Sequence, residues 1–278
     1  MSYACVRACP VKAISVRSTD GKPVVNHARC IGCGACTQVC SASAVEYRSA
    51  VDDTIQLLNS GKKVSAIVDP TISGEFPDIT DYRKFVEMIR SLGFHYVNEV
   101  SFGVDLVARR YRELLENFKG KYYLLANCPT LVSYVLKFHP DLTENLAPIV
   151  SPMTAMARVV RKAYGEDVAV VYIGPCLSAK HEAALHSNHG QVDAVLTFQG
   201  LRKMFDHFKV KESKVEYSEF DPPIGYLGSL YPISNGILYA AGLDQDLLSS
   251  RLITTDGKEN MMQALDEFRL HTEFLKKH

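Results

Sequence analysis

The sequence has no net charge, no membrane-length apolar run, no apolar leader and no glycine loop built for phosphate. Each absence removes a class of function. Its 31 basic residues cancel its 31 acidic ones, so no overall field favours nucleic acid or an anionic membrane surface. No apolar stretch approaches the roughly 20 residues needed to cross a bilayer, and the opening MSYACVRACP lacks the apolar region of a secretory signal. The pair Gly32-x-Gly34 is too short for a dinucleotide or nucleotide phosphate loop. Cysteine is also missing from most of the chain: six of the eight fall within the first forty residues, and none follows Cys176. So uneven a placement argues against a disulfide framework spanning the fold, and a reducing cytoplasm is expected.

What is present is globular. With 278 residues, 47% of them hydrophobic and 22% charged, the chain exceeds the usual single-domain size. A small domain at 1–50 followed by a large one at 51–278 is expected.

The small domain is built on RCIGCGACTQVC, which sets Cys30, Cys33, Cys36 and Cys40 at the C-x2-C-x2-C-x3-C spacing of a bacterial ferredoxin. A cubane iron–sulfur cluster needs a thiolate on each iron; a tight loop with three cysteines two residues apart wraps three corners, and a distant cysteine takes the fourth. Gly32 and Gly34 permit the loop's backbone. The alternatives are a structural zinc site or unligated thiols, but zinc sites pair two C-x2-C knuckles across a longer spacer. In two-cluster ferredoxins the fourth cysteine of each run crosses to the other cluster. Cys5 and Cys9-Pro10 stand where the third and fourth cysteines of a first run belong, Ser2 holds the place of the second, and the first would lie upstream. The ligand count then gives one complete 4Fe–4S site, Cys9, Cys30, Cys33 and Cys36, and one incomplete site, Cys5 and Cys40. Between the runs, PVKAISVRSTDGKPVVNHARC reads as a short helix, a strand, a turn at Asp20-Gly21 and a second strand at Val24 and Val25. The pattern repeats after Cys40 as SASAVEYRS.

From Val51 the pattern changes to α/β. An amphipathic VDDTIQLLNSG precedes the apolar run KVSAIVDP, which suits a strand buried on both faces. Helices are expected at Asp81–Leu92 and Asp105–Phe118, and strands at Tyr96–Phe102, Tyr122–Ala126, Val168–Ile173 and Val192–Thr197. Such alternation predicts parallel sheets flanked by helices, with ligands at the carboxyl ends of strands. Cys128 and Cys176 each follow such a strand and open a helix. His181, His186 and His189 read as a solvated helix and its exit, and Met153 and Met156 as core.

Three stretches together, NCP before an apolar helix, SPMTAMARVVRKAYG and GPCLSAKHEA, resemble the catalytic region of iron-only hydrogenases and their sensory relatives. The similarity continues through FDPPIGYLGSLYPISNGILYAAGL at 220–243. The resemblance implies two α/β lobes with a cubane between them, linked through a cysteine to a two-iron subsite. It places two cubane ligands at Cys128 and Cys176, with their sulfurs facing one pocket, so a further cubane there is expected. It also marks departures. Hydrogen-producing members carry a proton-shuttling cysteine where this chain has Asn127, and a cyanide-binding lysine where it has Ala179; Lys180 comes one residue later and Glu182 keeps an acidic position. A third motif, with two further cysteines, has no counterpart here. The resulting expectation is an iron–sulfur electron-transfer or redox-sensing protein, working with a redox partner protein or a signalling domain. The alternatives are a genuine hydrogenase whose third motif lies outside this chain, and an α/β interaction module with a structural ferredoxin unit.

Overall fold

The computed structural model describes residues 2–185, 191–243, 252–255 and 257–277. Two compact units make up the chain. One comprises Met1–Arg48, Phe118–Pro148 and Gln245–His278, and the other Ser49–Asn117 and Ile149–Asp244.

In the first unit, helix Ala4–Ala8 precedes an antiparallel hairpin of β1 (Ile14–Val16) and β2 (Pro23–Val25), with Ser15 opposite Val24. The expected turn at Asp20-Gly21 closes it. Asp20 accepts from the Lys22 backbone at 3.1 Å and from Arg17 at 2.9 Å, and Gly21 takes φ 70, which a residue without Cβ adopts readily. The short helix expected just after Cys9 is not formed. Cys9 stands before Pro10 and is held extended, so the helix ends at Ala8 and Pro10-Val11 form a turn. Helix Ala35–Gln38 follows the cysteine-rich loop. The expected repeat after Cys40 does not extend to a strand, since residues 41–50 hold only turns and irregular backbone. Helices Pro129–Phe138 and Lys258–Lys277 complete the unit, with Val135, Leu142 and Leu265 forming a small core between them. The strand expected at Tyr122–Ala126 is reduced to a single parallel bridge, Leu124 with Leu146. The turn Pro140–Asn145 brings the chain back after one pairing.

The second unit is a parallel four-stranded sheet of order β4-β3-β5-β6: β3 is Val64–Val68, β4 Tyr96–Glu99, β5 Ala169–Gly174 and β6 Ala194–Thr197. The central strands β3 and β5 are buried along their whole length, which explains their unbroken apolar runs. Alternate residues feed two cores. Val64, Ala66, Val68, Val171 and Ile173 pack with Phe85, Phe198, Leu201 and Met204 from helices Tyr82–Arg90 and Phe198–Phe208. Ile67, Val170 and Tyr172 pack on the other face with Val104, Met156 and Val160 from helices Val100–Glu116 and Pro152–Tyr164. Met153 and Met156 are core residues, as expected.

Strand β4 is shorter than expected, because the next helix starts at Val100 rather than Asp105. Gly103 lets that helix approach Pro152–Tyr164 closely: a Cβ there would stand 2.5 Å from the Pro152 carbonyl oxygen. The loop at 220–228 is tied to the sheet edge. Asp221 accepts from Arg90 and from the Val97 backbone, both at 2.7 Å, while Asp105 accepts from the Tyr226 and Gly228 amides at 2.7 and 2.6 Å. No helix among the described residues is long and apolar enough to cross a membrane.

Candidate iron–sulfur sites

The core of the cysteine-rich segment is lined with sulfur. Cys5 and Cys9 are buried with Val11, Ala13, Ile14 and Ile31, and Cys30, Cys33 and Cys36 pack against them. Cys5 is in this group and Cys40 is not, so the packing does not divide the sulfurs into the complete and incomplete sets expected from the sequence. No disulfide joins any of the eight cysteines. The backbone supplies donors to the sulfurs: the Ala13 amide lies 3.1 Å from Cys9 Sγ, and the Gly32 amide 3.5 Å from Cys30 Sγ. Such bonds favour anionic sulfur and are among the levers that set a cluster's potential.

The Cys9 turn recurs at Cys40. Lys12 and Ser43 both take left-handed backbone, with φ 51 and 47, and the Ala44 amide reaches Cys40 Sγ at 3.2 Å. The sequence repeat therefore survives as a pair of sulfur-binding turns, CPVKA and CSASA.

Electrostatics distinguishes the two environments. Burial, followed by the nearby Cys30 and Cys33 sulfurs, pushes the Cys36 thiol above its ordinary 9.0. The Val45 and Ala44 amides, in that order, hold half-buried Cys40 below 9.0. A thiol raised by burial and by like neighbours is one that a metal centre must deprotonate on binding. Among the described residues no three His, Cys, Asp or Glu side chains converge closely enough to hold one metal ion. A cubane takes wider-set thiolates, since each binds a different iron. The donor type, the packing of half-buried Cys30, Cys33 and Cys36 against buried Cys9, and the amide-to-sulfur bonds suit a cluster at these four residues.

Two cations missed by the sequence reading brace this site. Arg29 donates through Nε and Nη2 to the Val11 carbonyl at 3.2 and 3.0 Å, tying the Cys9 turn to the Cys30 loop, and its guanidinium lies 5.0 Å from the centre of the Phe138 ring. Lys137 Nζ donates to the Cys30 carbonyl at 2.5 Å and to that of His27 at 3.2 Å. Both are ordinary surface residue types, and nothing local in the sequence marks them.

Cys128 and Cys176 belong to different units. Cys128 is exposed and opens helix Pro129–Phe138, as expected, but the chain before it holds only the Leu124 bridge. Cys176 is exposed just beyond the carboxyl end of β5, with Sγ 2.8 Å from Ser178 Oγ, and helix Ser178–Ala183 begins there. The strand order reverses between β3 and β5, so their carboxyl ends form the switch point at which α/β sheets bind ligands. Asp69 and Tyr172 lie at this edge and were not anticipated. Tyr172 Oη donates to Asp69 Oδ2 at 2.7 Å, and Asp69 Oδ1 accepts from Thr71 Oγ1 at 2.6 Å. Burial and then the Asp69 charge raise the Tyr172 phenol well above its ordinary value. The Tyr172 ring lies over Gly174, where a Cβ would stand 2.4 Å from its hydroxyl oxygen. The carboxyl end of the central strands thus holds a buried carboxylate–phenol pair as well as the exposed thiol.

Glu182 is buried and accepts from Ser151 Oγ and, at 2.9 Å, from Thr154 Oγ1. Burial raises its carboxyl above the ordinary 4.5. Ala179 is packed in the core, and Lys180 Nζ donates to the Val195 carbonyl on β6. Lys180 is thus committed to the sheet. Of the three histidines noted above, His181 is on helix Ser178–Ala183, while His186 and His189 lie outside the described residues.

Comparison with known proteins agrees with this picture. Residues 3–44 match the 4Fe-4S dicluster domain. Iron hydrogenase 1 of Clostridium pasteurianum is 25% identical over 225 residues, covering 72% of this chain and 39% of that protein. The periplasmic [Fe] hydrogenase large subunit of Nitratidesulfovibrio vulgaris is 23% identical, covering 78% of this chain and 66% of that protein. The chain therefore spans well under half the length of the first of these relatives. A structure of a variant of [FeFe]-hydrogenase HydA1 from Chlamydomonas reinhardtii superposes with a TM-score of 0.56 over 76% of this chain and 62% of that one, at 21% identity, a likeness of fold. Residues 62–273 match the iron only hydrogenase large subunit, C-terminal domain, so the chain belongs to that family and is an iron–sulfur-binding, hydrogenase-related protein.

Proposed function

We propose that this chain is an electron-transfer or redox-sensing module that uses the hydrogenase fold without turning over hydrogen by itself. The observation that carries this is the sulfur-lined core, in which Cys9 is buried and Cys30, Cys33 and Cys36 pack against it. A 4Fe–4S cluster bound there supplies one-electron chemistry. The chain's own part is to present four thiolates, donate amides to two of their sulfurs and keep water from the buried side. Cys5 and Cys40 form the incomplete second site. Cys128 and Cys176 are proposed as two ligands of a further cubane. A reducing, cytoplasmic setting and a redox partner protein or signalling domain as electron acceptor belong to the same proposal.

The hydrogenase reading is weighed against by the chain's own residues. Asn127 has no ionisable proton to relay. Ala179 is core, and Lys180 is engaged by Val195. The proposal also separates the chain from a mere interaction module, which would have no use for clustered thiols with amide donors.

Anaerobic reconstitution tests it. Iron and sulfide analysis should give about one 4Fe–4S cluster in the cysteine-rich segment. Cys33→Ala should abolish that segment's charge-transfer absorbance and Cys40→Ala should not; equal loss in both would show that the ligand crossover is wrong. Hydrogen turnover by the purified chain, after loading with a two-iron precursor, would overturn the non-catalytic reading.

A further inference from the structure

We propose that Lys137 sets both the seating and the reduction potential of the cluster held by Cys9, Cys30, Cys33 and Cys36; this rests on the reading above that the site takes a cluster. Lys137 stands near the carboxyl end of helix Pro129–Phe138, and its ammonium crosses to the cysteine loop, where it donates to the Cys30 and His27 carbonyls at 2.5 and 3.2 Å. Two further residues of that helix, Tyr134 and Phe138, pack against the cysteine core, and Phe138 also stacks under Arg29. The loop is therefore braced on one side by a helix that keeps a fixed cation beside the backbone of a ligand cysteine.

The chemistry follows from charge. Reduction adds one electron to a cluster already held by four thiolates, and a nearby ammonium favours that added negative charge. The ammonium is also held in place. It neutralises the outward carbonyl dipoles of the ligand loop, and its helix is anchored by the Val135–Leu142–Leu265 core. Arg29 does a different job. Its donors go to Val11, so it joins the Cys9 turn to the loop rather than neutralising the loop itself.

The helix gives this residue a second consequence. Its first residue follows Cys128, and ten residues span about 15 Å at 1.5 Å per residue. Lys137 and Cys128 thus stand near opposite ends of one helix, so the cation that tunes the first cluster is mechanically joined to the thiol proposed for the further cubane.

The test uses the full chain, reconstituted anaerobically, with the midpoint potential read by EPR-monitored redox titration and iron measured in the same samples. Lys137→Met should keep its iron and shift the potential to a more negative value, while Lys137→Arg, which retains charge and donors, should stay near the wild type. An unshifted potential in Lys137→Met with iron intact overturns the proposal. Should Lys137→Met lose its iron, Lys137→Arg decides: retention of the cluster at the wild-type potential supports the role, and loss of the cluster there also overturns it. Failure of the wild-type chain to take up iron would instead refute the underlying cluster reading.

Discussion

The two units bury their interiors by different means. Around the sheet, Phe85, Phe198, Ile67, Met156, Leu201 and Met204 are essentially inaccessible, and each fully buried side chain of this size contributes about 1.5–3 kcal/mol of hydrophobic stabilisation. Around the cysteine loops, the buried residues are Cys5, Cys9, Val11, Ala13, Ile14 and Ile31, small apart from the two isoleucines. A β-hairpin of two three-residue strands adds little on its own. The sheet unit has an interior that accounts for its order, whereas the cysteine-rich segment needs ligand bonds to supply what its core does not. The difference also divides function: the thiolates gather where apolar packing is thin, and the sheet supplies a stable edge at which Cys176 is exposed above the buried Asp69–Tyr172 pair.

The sharpest way to break this comparison is to remove the metal. Chelation of reconstituted protein should abolish hydrogen-exchange protection in β1, β2 and the Cys30–Cys40 loop, while β3 and β5 keep theirs. Loss of protection in β3 to the same extent would mean that the sheet unit also depends on iron.

The reciprocal experiment removes apolar packing. Phe85 is 2% exposed and meets Phe76 and Phe205 ring to ring at 4.9 and 6.3 Å. Phe85→Ala should destabilise the sheet unit by about 3–5 kcal/mol in denaturant titration, with iron content per folded protein unchanged. A variant that unfolds normally but loses iron would contradict the division.

The same contrast explains what could be read in advance. The 4Fe–4S character of the first segment was legible because cluster chemistry fixes cysteine spacing, and β3 and β5 because a strand buried on both faces writes an unbroken apolar run. The strand before Cys128 was misread: Tyr122–Ala126 has the composition of a strand, but among the described residues the Leu124 backbone pairs only with the 145–147 segment. The early start of helix Val100–Glu116 depends on Gly103 meeting a helix that begins at Pro152, a contact no local pattern records. Lys137 was invisible for a similar reason, since its acceptor is a backbone carbonyl 107 positions away.

The smallest expected effect tests whether the sheet unit's own polar burial carries a pH signature. Glu182 is held above its ordinary 4.5 by burial, with Ser151 and Thr154 opposing the rise through their hydroxyls. A carboxyl whose folded pKa is raised binds its proton more tightly in the folded than in the unfolded chain. Its contribution is therefore fully present below the unfolded value and is lost as pH climbs from about 4.5 through the higher folded value. The wild type should lose stability over that window with a slope of at most about 1.4 kcal/mol per pH unit, the limit for one proton. Glu182→Gln keeps an acceptor for both hydroxyls and has no charge to bury, so its stability should lack this component. The measurement is the difference between the two chains in urea midpoint, taken at several pH values from 4 to 8. A gap that widens with pH in favour of Glu182→Gln is the expected result. A gap that does not change with pH would mean that the two hydroxyls solvate the carboxylate well enough to cancel its burial.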